Sequence, residues 1–170
     1  MPEAVEAYVR YIDSVSRRIG NVVMYLLFAM LAILLGETVA RLATGNPGIW
    51  TVETSQFLLV GYYILGGSYT LLIGGHVRMD AFYDRWSAKR KALADIMTFS
   101  IIAIFLVTLI IWGTRSSIAA IVLHQSSRTI WAPPMAPIKI TMVTGMVLML
   151  LQAIAELFKD LATVRGKTIT

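Results

Sequence analysis

The side chains that could do chemistry are few: ten Asp and Glu, two His and no Cys in 170 residues. Without Cys, disulfides and thiolate metal sites are excluded. A membrane haem uses two facing His inside a helical bundle. His76 and His124 instead fall in loops on opposite sides of the reading developed below, so they cannot share an iron. Zinc needs a close donor cluster, and the sequence has no HExxH and no His/Asp group at ligand spacing. Nucleophile elbows and nucleotide fingerprints are also missing. Gly66-Gly67 and Gly74-Gly75 follow no strand and precede no Lys-Ser/Thr pair, so neither is a phosphate cradle. The sequence therefore predicts no catalytic residue, no cofactor and no metal site, and no enzyme.

The carboxylates carry more information. Glu37 and Arg41 stand four residues apart, the spacing that puts an ion pair on one helix face. Three readings are open: a structural pair near a membrane surface, an inter-subunit contact, or a proton-coupling acid. Glu53 opens an apolar run, where the helix dipole favours a carboxylate. Glu53 and likewise Asp95, Glu156, Lys159 and Asp160 lie at the edges of apolar runs and are expected to be solvated or interfacial charges.

Those edges belong to four apolar segments, at about 19–43, 52–73, 92–116 and 137–158, the third with a possible continuation to Leu123. Each supplies the roughly 20 residues that a hydrocarbon core of about 30 Å requires. Mean hydropathy is +0.71 and only 15% of residues are charged, against about 25% in a soluble domain. Helices are the reading, because backbone groups in lipid must pair internally and strand alternation is absent. Asn46-Pro47-Gly48 reads as a tight turn, Gly74-Gly75 as a helix stop, and Pro133, Pro134 and Pro137 punctuate the approach to the last span. No cleavable signal peptide is expected, since 18 mostly polar residues precede the first apolar run.

Before that run, Val5, Tyr8, Val9, Ile12, Val15 and Ile19 recur at helical spacing opposite Glu6, Arg10, Asp13, Arg17 and Arg18. This predicts an amphipathic helix lying on a membrane surface, or else a cap packed on the loops. The fold class is thus an all-α integral membrane protein, a single domain over 1–170. It comprises four transmembrane helices plus an N-terminal amphipathic interfacial helix over 1–18. A further short interfacial helix is expected between Asp80 and Lys91, with Phe82, Tyr83 and Trp86 toward lipid or a partner.

Charge orients these spans. The side holding both termini and the middle loop carries Arg10, Arg17, Arg18, Arg78, Arg85, Lys89, Arg90, Lys91, Lys159, Arg165 and Lys167. The other side carries only Arg41, Arg115, Arg128 and Lys139. The positive-inside rule then places both termini in the cytoplasm, with Trp50, Trp112 and Trp131 near the outer interface. Topology thus accounts for the net charge of +5, and no nucleic-acid partner is expected. Tyr62, Tyr63, Gly66, Gly67, Ser68, Tyr69 and Thr70 make the second span the least lipid-like, and Thr141 with Gly145 adds a small-xxx-small patch. Such residues mark close helix packing, within the chain or onto another protein.

The most individual segment is Gly74-Gly75-His76-Val77-Arg78-Met79-Asp80. By itself it reads either as a helix stop with headgroup-binding charge or as a fixed corner that docks a partner. With Trp50 and Glu53 opening the second span, Gly66-Gly67 within it, Trp131-Ala132-Pro133-Pro134, Pro137 and Lys139 before the last span and Leu151-Gln152 inside it, it resembles the small permease subunit of tripartite ATP-independent periplasmic transporters, the DctQ family. The similarity extends over nearly the whole chain. It implies a bacterial inner-membrane protein whose partners are a large permease subunit, which carries substrate and sodium sites, and a periplasmic solute-binding protein. It further implies a scaffold role in uptake of a small organic acid. For Glu37, Arg41, Trp50, Glu53, Gly66, Gly67, His76, Arg78 and Asp80 it implies assembly or structural roles, and for the outer loop from Arg115 to Pro137 a contact with the binding protein. Two other functions compete with this one: a self-sufficient small proton-coupled exporter using Glu37, and the membrane anchor of a redox complex.

Overall fold

The computed structural model describes residues 3–46, 48–73 and 88–164, with backbone alone for 88–96, 160, 163 and 164. Those residues form four helices: α1 (Glu3–Thr44), α2 (Thr51–Leu72), α3 (Ala88–Val122) and α4 (Ala136–Val164). Three of them, over Glu3–Thr44, Met97–Val122 and Ala136–Lys159, are long and apolar enough to cross a membrane. Among the described residues the only ladder contact is an isolated antiparallel bridge between Ser126 and Pro134, in the α3–α4 connection.

Helix order in space follows from the side-chain contacts. Gly20 lies against Tyr69, Gly66 against Val23 and Gly61 against Leu26, so α1 and α2 run antiparallel. Gly67 faces Met149 and Gly145 faces Ile64, so α2 and α4 run parallel. Gly113 faces Val143 and Lys139 Nζ reaches the Ser116 carbonyl, so α3 and α4 run antiparallel. The start of α1 returns to the end of α4, where Val9, Ile12 and Ala155 form a buried cluster with Tyr8, Leu151 and Phe158 around it. The N-terminal end of α1 and the C-terminal end of α4 therefore share one end of the bundle.

α2 has α1 on one side and α4 on the other, and its buried residues are Thr51, Glu53, Ser55, Gly61 and Ser68. That interior is polar or small, while large apolar side chains such as Leu35 and Leu42 of α1 and Ile104 and Phe105 of α3 point outward. In water this distribution would be unstable. In lipid it is expected, because association there comes from close packing and interhelical hydrogen bonds rather than from burial of apolar surface.

One expected boundary is absent and one helix takes the longer of its expected extents. The N-terminal amphipathic segment and the first span are one uninterrupted helix of 42 residues, about 63 Å at 1.5 Å per residue. No proline or cap separates Arg18 from Ile19, so nothing ends the helix there. Its apolar stripe is covered by α4. The helix stops instead at Gly45, whose φ of +71° suits a residue without Cβ, and whose N–H closes the last turn on the Arg41 carbonyl at 2.9 Å. The third helix runs on past residue 116 to Val122, along the continuation toward Leu123 that the sequence allowed, since no Gly or Pro breaks it between Ser116 and Val122. Arg115 consequently lies within α3, not at its end.

Candidate functional site

Two polar clamps, at opposite ends of the bundle, and a seam of small residues between them hold the helices together. The first clamp joins α1 to α4 at the end shared by the termini. Gln152 is fully buried. Its Oε1 accepts the Ser16 hydroxyl at 2.7 Å, and its Nε2 donates to Asp13 Oδ1 at 2.9 Å and to Glu156 Oε1 at 3.1 Å. Lys159 Nζ bridges the same two carboxylates, at 2.8 Å from Asp13 Oδ2 and 2.8 Å from Glu156 Oε1. Tyr8 adds a hydrogen bond from its hydroxyl to the Leu151 carbonyl at 3.0 Å and packs edge-on against Phe158. Residues 152, 156 and 159 sit one turn apart on α4, and 13 and 16 one turn apart on α1, which brings the five polar groups to one line of contact. Two carboxylates this close repel. One ammonium and the two N–H groups of one amide offset that repulsion.

Glu156 and Lys159, expected as solvated or interfacial edge charges, are only about a quarter exposed and are paired across the helices, and Asp13 faces α4. The interhelical partner was invisible because Asp13 and Lys159 are 146 residues apart in the chain. The signal that could have found the clamp is Gln152 itself: an uncharged but strongly polar residue inside an apolar run must find partners in lipid.

The second clamp closes the α1–α2 hairpin. Glu37 Oε1 accepts the backbone N–H of Gly48 at 2.7 Å, and its Oε2 accepts the hydroxyl of Thr51, the first residue of α2, at 2.9 Å. Arg41 approaches at only 3.5 Å and its side chain is more than half exposed. Of the three readings left open for Glu37, the geometry adds a fourth and stronger component: the carboxylate binds the loop and the helix start, and the i,i+4 pair is secondary. Gly48 admits this because a Cβ there would stand 2.6 Å from Glu37 Oε2. Glu37→Gln keeps one acceptor oxygen but puts an NH2 donor where the other stood. It thus removes the charge and the acceptor of either Gly48 or Thr51, and the Thr51 hydroxyl can turn to accept instead. We expect it to lower the unfolding temperature of the detergent-solubilised chain modestly, and Arg41→Gln to lower it less still. A much larger loss for Arg41→Gln than for Thr51→Val would show the ion pair to be the main tie.

Between the clamps, Gly66 and Gly67 serve different neighbours. A Cβ on Gly66 would meet Val23 at an ordinary 3.7 Å, whereas one on Gly67 would meet Met149 Sδ at 2.7 Å. Gly145 is tightest, because a Cβ there would run into the side chain and the backbone of Ile64. Thr141, the other half of the small-xxx-small patch, donates its hydroxyl to the Pro137 carbonyl of its own helix at 3.0 Å. Gly20, not singled out in the sequence, is as close to Tyr69 as Gly145 is to Ile64.

The remaining expected site residues divide. Trp50 precedes α2, with half of its surface exposed, and its carbonyl accepts the Thr54 hydroxyl at 2.8 Å. Glu53 was expected to be solvated or interfacial. It is instead 7% exposed, and its Oε2 has no hydrogen-bond partner among the described residues. Its place in the first turn of α2 matches the dipole argument; its burial does not follow from sequence, because it depends on what packs around α2. His76, Arg78 and Asp80, with the whole Gly74–Asp80 motif and the interfacial helix expected around Phe82–Trp86, lie outside the described residues. Among the described residues no group of three or more His, Asp or Glu could hold a metal ion.

Comparison with known proteins adds one finding. The family model for tripartite ATP-independent periplasmic transporters, DctQ component, matches residues 30–163. That interval runs from the middle of α1 through the last turn of α4 and includes both Glu37 and Gln152. No curated protein and no solved structure matches the chain.

Proposed function

The chain belongs to the DctQ component family of tripartite ATP-independent periplasmic transporters, and from that premise we propose that it is the static scaffold half of a sodium-coupled permease. On this reading it extends the fixed framework against which a large permease subunit moves substrate. That subunit carries the sodium and substrate sites, and a periplasmic solute-binding protein delivers the substrate, a small organic acid. The protein resides in the bacterial inner membrane, with all four helices spanning it and both termini cytoplasmic.

The observation that carries the reading is where the polar side chains are used. Ser16, Asp13, Gln152, Glu156 and Lys159 satisfy one another across α1 and α4, and Glu37 is occupied by Gly48 and Thr51. These groups fix helices relative to each other. A transporter working alone would instead converge polar groups on discontinuous helices near the bilayer midplane. The outward faces of α1 and α3 offer long apolar surfaces that suit lipid or the helices of a larger subunit.

The fourth span is α2. Its 22 residues cover about 33 Å, and its polar face is enclosed by α1 and α4, so little of it meets lipid. Orientation is open to a direct test, because the chain has no native Cys. A single Cys at Glu6 is expected to react with an impermeant maleimide only after cells are permeabilised, and one at Ile130 to react in intact cells. The reverse pattern would refute cytoplasmic termini.

Purification of the tagged chain in mild detergent tests the assignment as a subunit. A large multi-span permease is expected to co-purify in a fixed ratio. Isolation of a stable homo-oligomer that transports by itself would support the exporter alternative and sink this one.

A further inference from the structure

The α3 helix packs along α4 and makes no substantial contact with α1. Contacts between neighbouring helices nevertheless fix the relative heights of these two. Gly113 faces Val143, Gly145 faces Ile64, and Gly61 and Gly66 face Leu26 and Val23. Carried across the bundle residue by residue, these pairs put Arg115 of α3 level with Phe28 of α1. They also put Arg18 of α1 level with Ile104 and Phe105 of α3. Both arginines are exposed.

Those heights conflict with an upright bilayer. On α1 the outward face carries no charge between Arg18 and Arg41, since Glu37 turns to Gly48 and Thr51, and Phe28 lies near the middle of that run. On α3 the charge-free run lies between Asp95 and Arg115, with Ile104 and Phe105 at its middle. Each exposed arginine thus stands level with the middle of the other helix's apolar run. A bilayer upright on one helix would hold a cation of the other near its midplane, the costliest depth. Arg115 does not escape toward the nearer end of its helix, because its guanidinium lies back over the ring of Trp112, 5.6 Å from the centroid. The exposed tryptophans, which mark headgroup level, step in the same sense. Trp50 precedes α2, whereas Trp112 is level with Tyr63, about 20 Å further along that helix.

We infer that the chain meets the acyl chains along an oblique belt, bounded by Arg18 and Arg41 on α1 and by Asp95 and Arg115 on α3, so that its row of helices is tilted in the membrane. An offset of roughly 10–20 Å between the two belts, across two to three helix spacings of about 8–10 Å, gives a tilt of roughly 30°. Transmembrane helices commonly tilt by that much. The belt is filled by lipid rather than by a protein partner because each run has about the 20 residues that one hydrocarbon thickness requires, a length that a protein surface would not impose. At the end of the α1–α2 hairpin, α3 beyond Arg115 then leaves the acyl region. Ile118 and Val122 face headgroups and water there, while Leu31 and Leu35, level with them on α1, face acyl chains. At the end shared by the termini the relation reverses: Ser14 lies in water and Ile101, level with it, in lipid. The inference rests on the chain spanning a membrane, and neither its subunit role nor the side its termini face enters.

Spin labels on single cysteines test this in liposomes of phosphatidylglycerol and phosphatidylethanolamine that hold the full-length chain, which has no native Cys. Frequent collisions with oxygen report acyl chains, frequent collisions with a water-soluble nickel chelate report water, and low rates of both report protein contact. Labels replacing Leu31 and Ile101 are expected to favour oxygen, and labels replacing Ile118 and Ser14 to favour nickel. The contrast is expected although Leu31 is level with Ile118 and Ser14 with Ile101. An upright chain gives the same preference within each pair, and that result would overturn the oblique belt. Low rates with both reagents at Leu31 or Ile101 would put protein in place of lipid and overturn it too. Nickel preference at all four positions would deny the spans themselves, an outcome distinct from an upright placement. Should Leu31→Cys or Ile118→Cys not fold, Leu35→Cys and Val122→Cys form an equivalent level pair, with oxygen expected at the first and nickel at the second.

Discussion

Gln152→Leu is expected to destabilise the purified chain by roughly 2–4 kcal/mol, the largest loss of any single polar substitution in the bundle. Leucine nearly preserves volume, so little of that cost would come from a cavity. It would come from the partners left behind. Ser16 loses the acceptor at 2.7 Å, and Asp13 and Glu156 each lose an amide donor. Lys159 would then be the main counterweight to two carboxylates that it already bridges at 2.8 Å. Interhelical hydrogen bonds in membranes average about 0.6 kcal/mol and reach about 1.7; the two to Ser16 and Asp13, the one within α4 to Glu156 and the exposed repulsion together give the range. Thermal unfolding in detergent, followed by Trp fluorescence, reads the effect. Ser16→Ala removes one bond and leaves a buried acceptor, and should cost about 1 kcal/mol. A Gln152→Leu chain as stable as the parent would mean that water, not Gln152, satisfies these carboxylates.

Gly145→Leu is the second large effect and acts by packing alone. Any Cβ at 145 collides with the Ile64 side chain and approaches its backbone, which cannot rotate away. The α2–α4 distance must therefore increase, and that releases Gly67 from Met149 one turn further along. Overpacking typically costs about 1–3 kcal/mol, and an insertion against backbone belongs at or above the top of that range, so the expected result is loss of the folded chain from the membrane fraction. Gly36→Ala is the control. Gly36 lies in the middle of α1's apolar run, and a Cβ added there would have no neighbour within 4 Å, so alanine should be neutral or stabilise by up to about 1 kcal/mol. If both substitutions behaved alike, the close approach of α2 and α4 would be wrong.

These two residues also show what a single sequence makes visible. Helical class, the apolar runs and the polar character of α2 could be read directly, because lipid imposes one length and one backbone solution on a spanning segment. Gly145 and Gly67 could be recognised as packing positions, but not which helix each one faced. The Glu37–Arg41 spacing suggested an ion pair because i,i+4 is the only relation a sequence displays; the stronger partners, Gly48 and Thr51, come from across a turn. The clamp around Gln152 was further out of reach, since its members come from opposite ends of the chain and become neighbours only after α2 and α4 have packed. Continuity of α1 through Arg18 was hidden for a different reason. A change from amphipathic to wholly apolar periodicity looks like a boundary, yet the backbone has no cause to break there.

The scaffold role is tested most directly by uptake into proteoliposomes that contain the large permease subunit and its solute-binding protein, under a sodium gradient, with and without this chain. Uptake is expected only when all three proteins are present, to be absent with this chain alone, and to survive Glu37→Gln. Sodium-driven uptake undiminished when the chain is omitted, or transport by the chain alone that Glu37→Gln abolishes, would contradict it.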